Sequence, residues 1–110
     1  MSQPGADSPG TRHFASFREF YPYYLGEHAN LACRRLHVIG STGVLAVLFA
    51  AFFTGNLWWL VLVPVIGYGF AWVGHFAFEK NRPATFRHPL YSLMGDWVMY
   101  VDVLRGRVKI

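Results

Sequence analysis

The chain has 110 residues, of which 54% are hydrophobic, 18% aromatic and only 15% charged, and ten Lys+Arg against six Asp+Glu give a formal charge of +4. A soluble domain this small exposes most of its surface and usually carries about 25% charged residues, so the composition argues against a soluble monomer and equally against chain-wide disorder. Cys33 is the single cysteine, which rules out an internal disulfide framework; the basic residues flank apolar runs, so the positive charge points to a lipid bilayer and away from nucleic acid.

In chain order, residues 1–13 (MSQPGADSPGTRH) are rich in Pro, Gly and Ser and read as a disordered lead, with His13 solvated. Phe14, Phe17, Tyr21, Tyr24 and Leu25 recur at spacings of three and four, which predicts a short aromatic-faced helix over 14–25 lying at the membrane interface and bent by Pro22. From Leu36 to Phe78, 43 residues carry no Asp, Glu, Lys or Arg. Thr54-Gly55-Asn56 breaks that run near its middle with turn-forming residues. The first limb, 36–53, is roughly 27 Å long as helix and the second, 57–78, roughly 33 Å, against a bilayer core of about 30 Å. A secretory signal does not fit, because the run starts at residue 36 and a second span follows it.

Arg18, Arg34 and Arg35 precede the first limb, Lys80, Arg82 and Arg87 follow the second, and the connecting turn is uncharged. The positive-inside rule then puts both termini in the cytoplasm, with Trp58 and Trp59 in the opposite aromatic belt. After a polar loop over 79–89, the stretch 90–104 is apolar but holds Asp96 and Asp102, which suits an interfacial or re-entrant helix better than a third span. The expected fold is thus an all-α membrane protein: one domain over 14–110, built as a two-helix transmembrane hairpin with flanking interfacial or re-entrant helices.

Four of five histidines, His28, His37, His75 and His88, bracket the limbs at one end. An antiparallel hairpin brings His37 and His75 to one depth. His75 shares a face with Gly67, Ala71 and Glu79, and His37 with Gly40, Ser41 and Val44; small residues allow close helix approach, so both rings are expected in the helix interface. One such histidine alone can simply hydrogen-bond a carbonyl or snorkel. Four together point to metal ligation by His28, His37, His75 and His88, with Glu27 and Glu79 adjacent; Fe(II) fits a set with open positions for oxygen and substrate, and zinc accepts the same atoms. Spacing does not choose between them.

Glu79 is expected to orient His75 from outside the ligand set, with Glu27 and Asn30 in the same supporting layer. Asn30 and Asn81 serve either that layer or as caps of a helix or turn. Arg82, Arg35 and Arg87 act either as topogenic charges or as anchors for a fatty-acid carboxylate whose tail lies between the limbs.

Tyr24-x-x-Glu27-His28-x-Asn30, Arg35-Leu36-His37-x-x-Gly40 and, after one hairpin, Gly74-His75-x-x-Phe78-Glu79-Lys80-Asn81-Arg82-Pro83-Ala84 carry a resemblance. They resemble a family of small integral-membrane proteins, long of unknown function, that includes the yeast 2-hydroxy-fatty-acid dioxygenase of phytosphingosine breakdown. The resemblance covers about residues 17–105, its most specific piece is Gly74 to Ala84, and the length is that of a short bacterial member, which implies a bacterial inner membrane. It implies Fe(II)-dependent alpha-oxidation of a long-chain 2-hydroxy fatty acid by O2 to the acid one carbon shorter, with release of CO2. On this resemblance His28, His37 and His75 are iron ligands, while His88 lies outside the shared motifs. Two other readings stand beside it. One is a b-type haem carrier with His37 and His75 as axial ligands; the other is a non-enzymatic adaptor or assembly protein whose small-residue faces bind partner helices. The partners expected of the chain are the fatty acid, O2, the bilayer and a second copy in a homo-oligomer.

Overall fold

A computed structural model of the chain describes residues 14–110. The lead over 1–13 and His13 lie outside the described residues. The described residues are helical, with no strand among them: α1 (Phe17–Glu27), α2 (Leu31–Thr54), a 3-10 turn (Leu57–Val61) leading into α3 (Leu62–Val73), a π-helical segment (Gly74–Glu79), a short 3-10 turn (Ala84–Phe86) and α4 (Pro89–Leu104).

Helix α1 begins and ends later than hydrophobic spacing predicts. Ser16 accepts from the Glu19 backbone N–H at 3.3 Å while the Glu19 carboxylate accepts from the Ala15 N–H at 3.4 Å, so Ser16-Phe17-Arg18-Glu19 sets the start as a capping-box-like pair. The helix continues through Pro22 to Glu27.

Helix α2 starts at Leu31, five residues before the uncharged run. Asn30 Oδ1 accepts from the Ala32 and Cys33 N–H groups at 2.8 and 3.3 Å, and this cap, not hydropathy, fixes the first turn. Arg34 and Arg35 therefore lie inside the helix. They reach the chain's other end, donating to the backbone carbonyls of Lys109 and Ile110. At its far end Gly55 takes the left-handed conformation (φ 70°) and returns its N–H to the Ala51 carbonyl, and Asn56 caps the 3-10 turn through the Trp58 N–H.

The turn reverses the chain, and α3 packs along α2 in the opposite direction. A Cβ on Gly40 would lie 3.0 Å from Phe70 Cβ, one on Gly43 2.8 Å from Ile66 Cγ2, and one on Gly74 2.9 Å from Cys33 Sγ, so low numbers on α2 meet high numbers on the return limb. Glycines make that approach possible. Leu31–Thr54 and Leu57–Glu79 are long and apolar enough to cross a membrane, with mean hydropathy 2.0 and 1.7. Their outward faces are bare: Phe52 is 78% and Trp58 79% exposed. An apolar surface of this extent suits a lipid environment.

Helix α4 lies over α1 and α2, and the aromatic face of α1 turns onto it rather than onto lipid. Phe20, Tyr24, Ala84 and Met99 form the buried cluster between them, ringed by Phe14, Phe17, Tyr21 and Tyr91. Gly95 admits the Tyr24 ring, since a Cβ there would sit 2.8 Å from Tyr24 Cδ2. The two carboxylates of α4 are partnered here: the Tyr21 hydroxyl donates to Asp102 at 2.8 Å and the Tyr24 hydroxyl to Asp96. Burial raises the Asp96 carboxyl to about 6, against the opposing pull of that hydrogen bond.

Candidate metal centre

Three elements bring three imidazoles to one point. His28 ends α1, His37 lies on the second turn of α2, and His75 sits in the π-helical segment. All three are buried. His28 Nε2 is 3.1 Å from His37 Nε2 and 2.8 Å from His75 Nε2, and one ligating atom from each residue falls within 4.8 Å of the others.

The opposite ring nitrogens fix the tautomers. His28 Nδ1 donates to the Tyr24 carbonyl at 2.7 Å and His37 Nδ1 to the Cys33 carbonyl at 2.9 Å; a carbonyl only accepts, so each Nδ1 carries the proton. His75 Nδ1 donates to Asn81 Oδ1 at 2.7 Å, an orientation set by Asn81 Nδ2 donating to the Glu27 carbonyl at 3.0 Å. Each Nε2 is then left as a lone pair, and the lone pairs face one another. Burial, with His37 and His75 alongside, pushes the His28 imidazole well below its ordinary range, which keeps it neutral.

Three facing lone pairs repel unless a cation lies between them. Nitrogens held about 2.1 Å from one ion at angles near 90° lie about 3 Å apart, so the observed separations and the donor set fit a metal. They do not fit a haem. A macrocycle between His37 and His75 would have to occupy the place of the His28 ring, whose Nε2 is in hydrogen-bonding range of both.

The return limb and the first turn of α2 clamp the loop that carries His28. Glu79 accepts from the Asn30 N–H, Asn81 holds the Glu27 carbonyl, and Arg34 Nε donates to the His28 carbonyl at 2.5 Å. Lys80, at φ 59°, and Asn81 turn their N–H groups back to the His75 carbonyl. Tyr24 stacks on the His28 ring with centroids 3.9 Å apart. A cavity of about 20 Å³, room for a water-sized group, adjoins the trio and is lined also by Tyr24, Ser92 and Asp96. The Ser92 hydroxyl is buried there with no hydrogen-bond partner among the described residues.

The expected site residues divide. His28, His37 and His75 converge; His88 is not in the group and instead packs its ring against Phe14, Phe20 and Tyr23. The Glu79 carboxylate accepts from the Asn30 N–H while Asn81 bonds His75 Nδ1, Asn30 caps α2, and Glu27 contributes its carbonyl. Of the arginines, Arg35 reaches the Ile110 carbonyl and Arg82 lies over the Phe86 ring at 5.4 Å, while Arg87 closes the short 3-10 turn through its backbone. None of the three lines the cavity beside the trio. Arg34, read in the sequence as a flanking positive charge, instead donates to the His28 carbonyl. Ser92 and the Asp96–Tyr24 pair were not foreseen; a hydroxyl and a carboxylate four apart on an apolar helix were the available signal.

Fold and site together define a small helical protein with two membrane-length helices and a three-histidine centre able to hold a metal ion. Residues 14–108 match the family described as 2-hydroxy-palmitic acid dioxygenase Mpo1-like, and the chain belongs to that family. No curated protein and no solved structure matches it.

Proposed function

We propose that the protein is an Fe(II)-dependent membrane dioxygenase that converts a long-chain 2-hydroxy fatty acid and O2 to the acid one carbon shorter, CO2 and water. The observation that carries this reading is the convergence of the three Nε2 lone pairs, each with its Nδ1 proton committed elsewhere. The family description supplies the substrate class. His28, His37 and His75 hold the ion, and a bound Fe(II) supplies redox chemistry with O2 that zinc lacks, plus positive charge for the substrate's head.

The rest is the work of this chain's residues. Asn81 and the Tyr24 and Cys33 carbonyls fix the rings, and Arg34, Glu79 and Asn81 hold the His28 loop in register. Ser92 offers a hydroxyl to a substrate oxygen inside a cavity too small for bulk water. The overall change balances without an external reductant: R–CH(OH)–COOH plus O2 gives R–COOH, CO2 and H2O. Both long helices cross a bilayer, a bacterial inner membrane by the resemblance, with both termini and the trio on the cytoplasmic side. The adaptor reading is weakened because Gly40, Gly43 and Gly74 are already used between the chain's own helices.

The test is elemental analysis of detergent-purified protein loaded anaerobically with Fe(II), with the visible spectrum and turnover of 2-hydroxypalmitate. About one iron per chain, lost in His28→Ala, His37→Ala and His75→Ala, is expected with no Soret band and with a fifteen-carbon acid as product. A wild-type protein that retains no metal overturns the proposal.

A further inference from the structure

A second, larger cavity, of about 300 Å³, adjoins the first and runs between α2, α3 and α4. The two share His37, Tyr68, Ala71 and Asp96, so the larger one opens onto the trio at one end. Away from that end its walls are Ser41 and Val44 of α2, Gly67 of α3, and Leu93 and Trp97 of α4. The space exists for two reasons. Helix α4 packs on α1 and α2 but makes few contacts with α3, and Gly67 and Ala71 present almost no side chain to the gap. Leu93 and Tyr68 are half-exposed at the α3–α4 side, so the cavity communicates with the surroundings of the helices there.

We infer that this cavity is an acyl-chain slot, which holds about the first ten carbons behind the substrate's head, sets the length preference, and lets further carbons leave between α3 and α4 into lipid. The inference rests on the dioxygenase reading for the identity of the head group. Two sizes agree on the carbon count. A cavity of about 150 Å³ accommodates benzene, so one twice as large takes about ten to twelve carbons. From Ala71 to Val63, eight residues of helix, the wall is roughly 12 Å long, and an extended chain advances roughly 1.25 Å per carbon, again about ten. The slot is apolar beyond Ser41, as an acyl chain requires, and its polar end is the end that carries the trio.

The experiment uses iron-loaded protein and a series of 2-hydroxy acids from six to eighteen carbons, measuring displacement of a fluorescent fatty acid with correction for partition into detergent. Affinity is expected to rise about fourfold per added methylene until the slot is full, near twelve carbons, and then to level off. In Gly67→Leu, whose added side chain enters the slot where a Cβ has ordinary 3.4 Å contact with Val44, the levelling point moves about three carbons shorter. Leu93→Trp, from the opposite wall, moves it in the same direction and covers the case in which the glycine variant does not fold. Iron content stays at the wild-type value in both. A levelling point unchanged in both variants, or no levelling in wild type, overturns the slot. Turnover is read on the same samples: a shifted point without turnover supports the slot and sinks the dioxygenase, whereas turnover with an unmoved point does the reverse.

Discussion

Asn81 shows how much a single side chain decides. Its Oδ1 fixes the His75 tautomer while its Nδ2 ties down the Glu27 carbonyl, one residue before His28, so one amide serves two of the three imidazoles. Partners in this position typically carry a 10–100-fold effect on metal affinity. Asn81→Ala is therefore expected to weaken metal binding by about that factor, with helix content by circular dichroism unchanged; wild-type affinity in a chelator competition would refute the role. Asp96 gives a pH test. Its folded value of about 6 lies above the ordinary 3.8, so the folded chain holds a proton that the unfolded chain releases. The resulting stabilisation is complete below 3.8 and is lost as pH rises through about 6. It amounts to about 3 kcal/mol at most, by about 1.4 kcal/mol per unit. Asp96→Asn keeps an oxygen acceptor for Tyr24 and removes the titration. The melting temperature of the variant minus that of wild type should therefore climb between pH 4 and pH 7.5, and a flat difference would show that Asp96 does not titrate there.

Elements were legible where hydrophobic spacing set them and obscure where caps and partners did. The uncharged run gave the two long helices and the Thr54–Asn56 turn, but the start of α2 depends on Asn30 and lies five residues earlier. The aromatic stripe of α1 was visible, and spacing alone could not say whether lipid or α4 covers it. The answer lies in Gly95 and in the two tyrosine–aspartate pairs, which join residues more than seventy positions apart. Nor does periodicity near 3.6 announce the π-helical segment, which begins at Gly74, where a Cβ would lie 2.9 Å from Cys33 Sγ. Gly95→Ala follows from this packing. With a Cβ 2.8 Å from the Tyr24 ring and α1 pinned by Phe20 and Met99, the overpacking should cost about 1–3 kcal/mol, read as a lower melting temperature in detergent. Gly106→Ala, where the φ of 78° strains the backbone but nothing lies within 4 Å, separates packing from conformational effects.

For the described residues as a whole, the charged side chains, the C-terminal Lys109 and Ile110 and the histidine centre gather at one end of a body 56 Å long and 25 by 24 Å across, and the uncharged turn with Trp58 and Trp59 marks the other. The histidine cluster was legible for the same reason as the hairpin: a reversal of known position brings His37 and His75 to one depth, and His28 precedes the first limb by a few residues. His88 was grouped with them by its position beside the limbs and set apart only by the resemblance; its ring packs instead against Phe14, Phe20 and Tyr23. The asymmetry of charge predicts a single orientation in the membrane. Cys33 is the chain's one cysteine and is buried, so a Cys33→Ser background leaves introduced thiols as the reporters. In bacterial cells with a permeabilised outer membrane, a membrane-impermeant maleimide should label Asn56→Cys at the turn and leave Arg107→Cys in the tail unlabelled until the inner membrane is opened. Labelling of the tail in intact cells would place the trio on the outer face and reverse the topology, while labelling of both positions would mean that the two long helices do not cross the bilayer.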